Sequence, residues 1–332
     1  MSSMEDTFRI AALTAVAPVA WGTTYLVTQT WLPPERPLFS AAVRALPIGL
    51  VILTARRELP RGAWWWRAGL LGVLNIGAFF ALLFLAAYRL PGGLAATMTA
   101  LSPLVVMGLA WPLAGERASG LGLLGGALGL FGVGLLVLRS DAAPDVVGIG
   151  AALAAVGLSA LGFTLVRRWQ PPTDLLTFTG WQLVAGGLFL TPLALVVEGP
   201  PPPLDGRTLL AYAYLGLVGT GLAYVAWFTG VRRLGAGPTS LIGLVNPVVG
   251  TALGVSFAGE TFGPAQSLGT LLALSGVVMG QPAVLELLRR GRSADGDADL
   301  VGGLAPVAVE HPEAVHAGLP GLHVRREAAC GD

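Results

Sequence analysis

Apolar residues run along this chain in ten stretches separated by short polar connections. They fall at roughly 9–28, 38–55, 66–87, 91–112, 118–138, 146–166, 175–197, 208–229, 234–257 and 262–282. Each approaches the length of about 17–25 residues that a helix needs to cross a bilayer. In hydrocarbon the backbone must satisfy its own N–H and C=O groups, so such runs are expected to be helices. The pattern predicts an all-α polytopic membrane protein.

The runs are not independent. Leu90–Val133 recurs as Leu234–Val277, 144 residues later, with matched pairs including Gly93/Gly237, Pro103/Pro247, Glu116/Glu260, Gly125/Gly269 and Gly132/Gly276. Trp21-Gly22 likewise aligns with Leu161-Gly162, and Trp31-Leu32-Pro33-Pro34 with Trp169-Gln170-Pro171-Pro172. A duplicated hydrophobic block is the mark of a transporter built from internal repeats. Each copy holds five spans, and two odd-span copies in one membrane must run in opposite directions. The fold class expected is therefore ten transmembrane helices as two inverted five-helix repeats. The first repeat covers 9–138, the second 146–282, and a polar tail expected to be disordered covers 283–332.

Composition agrees: 54% of residues are hydrophobic and 12% charged, whereas a soluble domain carries about 25% charged residues. The net charge of +1 decides little. All 20 basic residues are arginines, and their placement decides more. Arg9, Arg56, Arg57, Arg61, Arg67, Arg117, Arg167, Arg168, Arg232, Arg233, Arg289, Arg290 and Arg292 fall on one side of the expected topology, against Arg36, Arg89, Arg139 and Arg207 on the other. The positive-inside bias then places both termini in the cytoplasm of a multi-pass inner-membrane protein. Ala15–Ala17 resembles a signal-peptide cleavage pattern, but the first span has a partner in the second half and is expected to be retained. Cys330, the sole cysteine, rules out an internal disulfide, and His311, His316 and His323 all lie in the tail. The partners expected are a small-molecule substrate and the lipid bilayer, and no nucleic acid. Small-residue faces such as Gly122/Gly126 and Gly125/Gly129 are expected to pack spans 5 and 10 against neighbouring helices, with a homodimer contact through the same faces as the alternative.

Candidate chemistry is sparse. Pro103 and Pro247 stand near the middle of the fourth and ninth spans, where a missing N–H is expected to free the carbonyls of Thr99 and Gly243. Thr97, Thr99 and Ser102 flank one proline, and Thr239, Ser240 and Asn246 the other. Paired helix breaks at the midplane point to a transport site; the alternative is two kinks that only shape packing. Arg44 is the only ionisable Asp, Glu, Lys, Arg or His well inside a span, either an anion clamp or an arginine satisfied by helix-end carbonyls or snorkelling. Gln182 occupies the matching place in the seventh span. Trp21, Tyr25, Asn75, Tyr88, Trp181, Tyr224 and Trp227 supply aromatic and amide surface suited to an organic solute, although Trp and Tyr also gather at interfaces, as Trp64-Trp65-Trp66 do. Glu116 and Glu260 each precede a span, as helix-end caps or as gate contacts.

Absences narrow the function. No expected span contains His or Cys, and no Asp or Glu lies in mid-membrane. An embedded enzyme needs a nucleophile with an acid/base partner in reach, so no catalytic residues, metal or cofactor are expected. There is also no P-loop to couple ATP hydrolysis. A non-transporting scaffold would need a folded soluble surface, which short loops do not offer.

Leu101-Ser102-Pro103 through Ala114-Gly115-Glu116-Arg117, then Gly125 and Gly132, resembles the EamA domain of the drug/metabolite transporter superfamily. Val245-Asn246-Pro247 through Ala258-Gly259-Glu260, then Gly269 and Gly276, is similar to its second copy, and Trp21-Gly22 and Ala42-Val43-Arg44 also fit. The resemblance spans about residues 10–282. It implies a ten-helix inverted-repeat carrier that exports small metabolites such as amino acids by alternating access, without a cofactor. A proton-driven exporter of drugs or other amphipathic compounds is the alternative.

Overall fold

The computed structural model describes residues 2–89, 99–137, 145–257, 263–284 and 286–287. Every regular element among them is helical. In chain order they are α1 (Ser2–Trp31), α2 (Pro37–Arg56), α3 (Trp64–Gly72), α4 (Ala78–Arg89), α5 (Ser102–Ala114), α6 (Gly120–Val137) and α7 (Val146–Trp169). Then come α8 (Leu175–Val197), α9 (Gly206–Gly216), α10 (Ala223–Arg233), α11 (Ala236–Ile242), α12 (Val245–Phe257) and α13 (Pro264–Met279). Thr97, Glu260, Cys330 and the three histidines lie outside the described residues, as do the side chains of Tyr25 and Tyr88. Residues 282–284 and 286–287 are helical, so helix continues past the expected boundary at 282.

Among the described residues six helical stretches are long and apolar enough to span a bilayer: Glu5–Thr28, Pro37–Arg56, Trp64–Ala86, Val146–Trp169, Leu175–Val197 and Gly206–Arg233. Shorter apolar helices occur at Ser102–Ala114, Gly120–Leu135 and Ser267–Met279. The chain is an all-helical membrane protein. Helix starts are set locally: Asp145, Asp174 and Asp205 accept hydrogen bonds from first-turn amides of α7, α8 and α9, satisfying donors that a helix cannot pair internally.

The packing is reciprocal. α2 lies along α8, and α6 along α13. α1 packs on α10 and α12, while α7 packs on α4 and α5. The α6–α13 seam is built from glycine. A Cβ at Gly125 would come within 2.7 Å of the Gly276 carbonyl, and one at Gly132 within 2.6 Å of the Gly269 carbonyl. Since Gly125 matches Gly269 and Gly132 matches Gly276 in the repeat, these two contacts are each other's image. The small-residue face considered for a homodimer is thus occupied within the chain, where close backbone approach supplies the packing that hydrophobicity cannot supply in lipid.

The prolines need correction. Pro103 stands in the first turn of α5, after a turn at Ala100–Leu101, and Pro247 in the first turn of α12, after a turn at Gly243–Leu244. Both begin helices rather than interrupt them, and in a first turn the missing N–H costs nothing. The Gly243 carbonyl is not freed either, because it accepts Asn246 N–H at 3.0 Å.

Candidate functional site

A second pair of helix irregularities lies elsewhere in the bundle. Val73–Gly77 joins α3 to α4 through a π-turn, and Leu217–Leu222 joins α9 to α10 in the same way, the two starting 144 residues apart. Ala78 N–H reaches back to the Val73 carbonyl and Ala223 N–H to that of Val218. Such a bulge admits an extra residue and turns a carbonyl outward, which is why π-turns gather at functional sites.

Each bulge is answered from across the bundle, at matching positions. The Asn75 carbonyl in the first accepts Tyr224 OH at 2.9 Å. The Gly219 carbonyl in the second accepts Trp21 Nε1–H at 3.0 Å and Arg44 Nη2–H at 3.1 Å. Arg44 Nε–H also donates to Thr220 Oγ1 at 2.9 Å, and its guanidinium lies 4.7 Å from the Phe80 ring centre. The Thr220 hydroxyl in turn donates to the Leu215 carbonyl at 2.8 Å. In α8, Gln182 Oε1 accepts Asn75 Nδ2–H at 2.7 Å. Arg44, Asn75, Gln182, Thr220, Tyr224 and Trp227 are all buried.

Aromatic rings wall this cluster. Trp21 lies 5.5 Å from Tyr224 and 5.1 Å from Trp227, and Phe163 lies 5.4 Å from Trp227. Trp227 also reaches the α11–α12 turn, where a Cβ on Gly243 would come within 3.4 Å of its ring. Several buried polar atoms here have no hydrogen-bond partner: Asn75 Oδ1, Gln182 Nε2, Trp227 Nε1, Thr239 Oγ1 and Asn246 Oδ1. A buried unpaired polar atom is costly, and these atoms gather on the facing elements of this one cluster. Whichever way the two amides are turned, the Asn75–Gln182 pair leaves one donor and one acceptor.

The structure thus brings Trp21, Arg44, Asn75, Gln182, Tyr224 and Trp227 together. Asn246 and Pro247 stand beside the α11–α12 turn, and Ser240 precedes it with its hydroxyl donating to the Gly237 carbonyl. Thr99, Ser102 and Pro103 lie at the start of α5, which packs on α7 and α11. Trp181 is elsewhere: its Nε1–H donates to the Glu58 carbonyl in the loop before α3, and its ring packs on Trp64. The π-turns were missed in the sequence, although Asn75 and Gly219-Thr220-Gly221 inside apolar runs were the available signal.

Both ends of the bundle are tied. At the arginine-rich end Glu116 pairs with Arg167 at the end of α7 and accepts Ala236 N–H at 2.9 Å. Glu116 therefore caps α11 rather than the span it precedes, with Gly235 at φ +100° giving its carboxylate room. Arg56 pairs with Asp174 at 2.7 Å. Partial burial pushes the Asp174 carboxyl up, but the Arg56 guanidinium with the Thr177 hydroxyl and amide outweigh it and hold the pKa at about 2. At the opposite end Glu198 accepts the Leu38 and Phe39 amides at 2.6 and 2.9 Å, and Arg89 pairs with Asp145 at 3.0 Å. The Gly148 amide, chiefly, and Arg89 hold the Asp145 carboxyl below its usual range.

A multi-pass helical membrane protein with a polar, aromatic-walled centre crossed by two matching helix bulges is the class that fold and site define. The EamA-like transporter family model matches residues 9–138 and 146–279, and the chain belongs to that family, whose members are transporters rather than enzymes. It is similar to Protein PecM of Dickeya dadantii, at 38% identity over 267 residues that cover 80% of this chain and 90% of PecM. It is also similar to the uncharacterized inner membrane transporter YedA of Escherichia coli, at 28% identity over 272 residues covering 79% and 87% of the two chains. Among the solved structures that match, a crystal structure superposes with a TM-score of 0.71 at 22% identity, covering 82% of this chain and 98% of that one, a likeness of fold.

Proposed function

We propose that this membrane transporter is a secondary exporter of small neutral or zwitterionic metabolites such as amino acids, working by alternating access between two inverted five-helix halves. The observation that carries the reading is the pair of π-turns at matching positions, each with its outward carbonyl bonded from across the bundle. A solute entering between them meets aromatic faces and unpaired amide and indole groups. The placement of arginines supports an inner-membrane protein with both termini in the cytoplasm. In that orientation the Glu116–Arg167 pair closes the cytoplasmic end and must part when that end opens.

The central network contains no carboxylate, so facilitated diffusion accounts for movement without proton antiport. The aromatic walls favour a second reading, export of drugs or other amphipathic compounds. Counterflow in proteoliposomes with a labelled amino-acid panel, with and without a pH gradient, separates these. Uptake that needs internal unlabelled solute but no gradient is the expected result. Dependence on the gradient would overturn facilitated diffusion, and no counterflow of any amino acid would move the substrate to amphipathic compounds.

A further inference from the structure

Arg67, one turn into α3 at the arginine-rich end, is furnished differently from every arginine described above. Its guanidinium carbon lies 5.5 Å from the ring centre of Trp64, 5.5 Å from Trp66 and 5.3 Å from Trp169. Trp66 and Trp169 meet edge to face at 5.2 Å, so α3 and the end of α7 close the box together. Among the described residues the Arg67 side chain makes no hydrogen bond and no ion pair, and its Nε is buried without a partner. Of the carboxylates near this end, Asp174 is taken by Arg56 and Glu116 by Arg167, and Glu58, in the preceding loop, forms no ion pair with Arg67 or any other described residue. Arg44 shows the contrast, since it too stacks on a ring but has a hydroxyl and a carbonyl for its protons.

The surroundings fix the depth. Trp65 is 58% exposed and Trp66 55% exposed beside it, and tryptophans at a span end lie at headgroup level. Arg57 and Arg61, both exposed, precede them in the loop. Ring faces hold a cation by their electron-rich surface and fix its orientation in advance, which lowers the ordering cost of binding. What remains is a pre-oriented fork of N–H donors, the geometry that matches phosphate, at the depth where lipid phosphates lie.

We propose that Arg67, framed by Trp64, Trp66 and Trp169, binds the phosphate of an anionic phospholipid. The lipid joins α3 to the end of α7, two residues from the Arg167 that pairs with Glu116. It therefore acts where the arginine-rich end is held shut. The site has no counterpart in the second half, because Ala211 stands where the repeat would place an arginine.

The test is native mass spectrometry of the delipidated full-length protein, titrated with phosphatidylglycerol, phosphatidylcholine or glycerol 3-phosphate. Phosphatidylglycerol is expected to bind at least tenfold more tightly than phosphatidylcholine, with no competition from glycerol 3-phosphate at equal concentration. Arg67→Gln should abolish the preference, while Arg207→Gln, at the opposite end, should leave it intact. Arg67→Lys keeps a cation among the rings without the fork and should lose at least threefold, which decides the matter if Arg67→Gln fails to fold. Equal binding of the two lipids would overturn the proposal. So would competition by glycerol 3-phosphate, which would mark a soluble-anion site, or an Arg67→Lys variant with undiminished preference.

Discussion

Arg44 in α2 and Gln182 in α8 hold matching places in two helices that lie along each other, and each faces the π-turn of the other repeat. Arg44 is fully engaged there: Thr220, the Gly219 carbonyl and the Phe80 ring all receive it. Gln182 makes one hydrogen bond, to Asn75, and leaves its Nε2 and the Asn75 Oδ1 without partners. A charge inside a membrane is tolerated only when paired or hydrogen-bonded, and at the first position the guanidinium is hydrogen-bonded. The second, being neutral, carries an unsatisfied donor and acceptor at bearable cost. The comparison teaches that near-symmetric halves need not be furnished alike: one equivalent site is fastened by a charged network, the other keeps a buried donor and acceptor unpaired, and in the proposed function it is the second that meets the solute.

Breaking the fastening should give the largest effect. Arg44→Ala is expected to cost about 3 kcal/mol by removing a buried network, seen as a lower thermal midpoint and less folded protein. Gln182→Leu removes one hydrogen bond in a filled volume and should cost about 1–2 kcal/mol, yet lower counterflow by more than tenfold. Intact transport in Gln182→Leu would sink the division of labour. A subtler lesion tests the Asn75 side of the gap. A Cβ on Gly162 would lie 2.0 Å from Asn75 Oδ1, whereas one on Gly157 in the same helix meets nothing within 4 Å. Gly162→Ala should therefore cost about 1–3 kcal/mol and impair transport, with Gly157→Ala neutral or up to about 1 kcal/mol stabilising. If both melt alike, the close approach has no consequence.

The smallest effect concerns the ends of the same helix pair. The Asp174 carboxyl is depressed from 3.8 to about 2 in the folded protein. A depressed carboxyl favours folding above its unfolded value, and that contribution is lost as pH falls from about 4 toward 2. Both partners of its ion pair are 43% exposed, so solvent screening keeps the contribution small. The thermal midpoint of Asp174→Asn should lie slightly below that of the parent at pH 6, with the gap closing near pH 2. A gap unchanged between those values would assign the loss to the helix cap alone.

Much of this was legible in the sequence. Within the described residues most hydrophobic runs located their helices to within a few residues because span length is imposed by the bilayer, although the first helix begins at Ser2 rather than near 9 and the run expected at 91–112 begins outside them. The 144-residue repeat also links the two π-turns. The prolines indicated a real irregularity at Gly243–Leu244 but not its form, because a proline also serves as an unstrained helix start. The π-turns left only a weak trace: Asn75 and Gly219-Thr220-Gly221 interrupt apolar runs but are compatible with plain helix, and partners far away in sequence decide the bulge. Arg44 was conspicuous, but whether it waits for a ligand depends on Gly219 and Thr220. Trp181 and Trp21 look alike in an apolar run, and only depth separates a ring packed at one end from a ring at the centre.

The first helix of each repeat packs against helices of the other, and this bears on how the chain is made. The acceptors of Arg44 lie 175 and 176 residues further along, more than half the protein. A ribosome feeding this sequence into a membrane releases the guanidinium long before its receptors exist. During that interval water, headgroups or the insertion machinery must hold it. The step that commits the nascent chain is accordingly the arrival of α9 and α10, and an arrest of synthesis before them should leave a product prone to degradation.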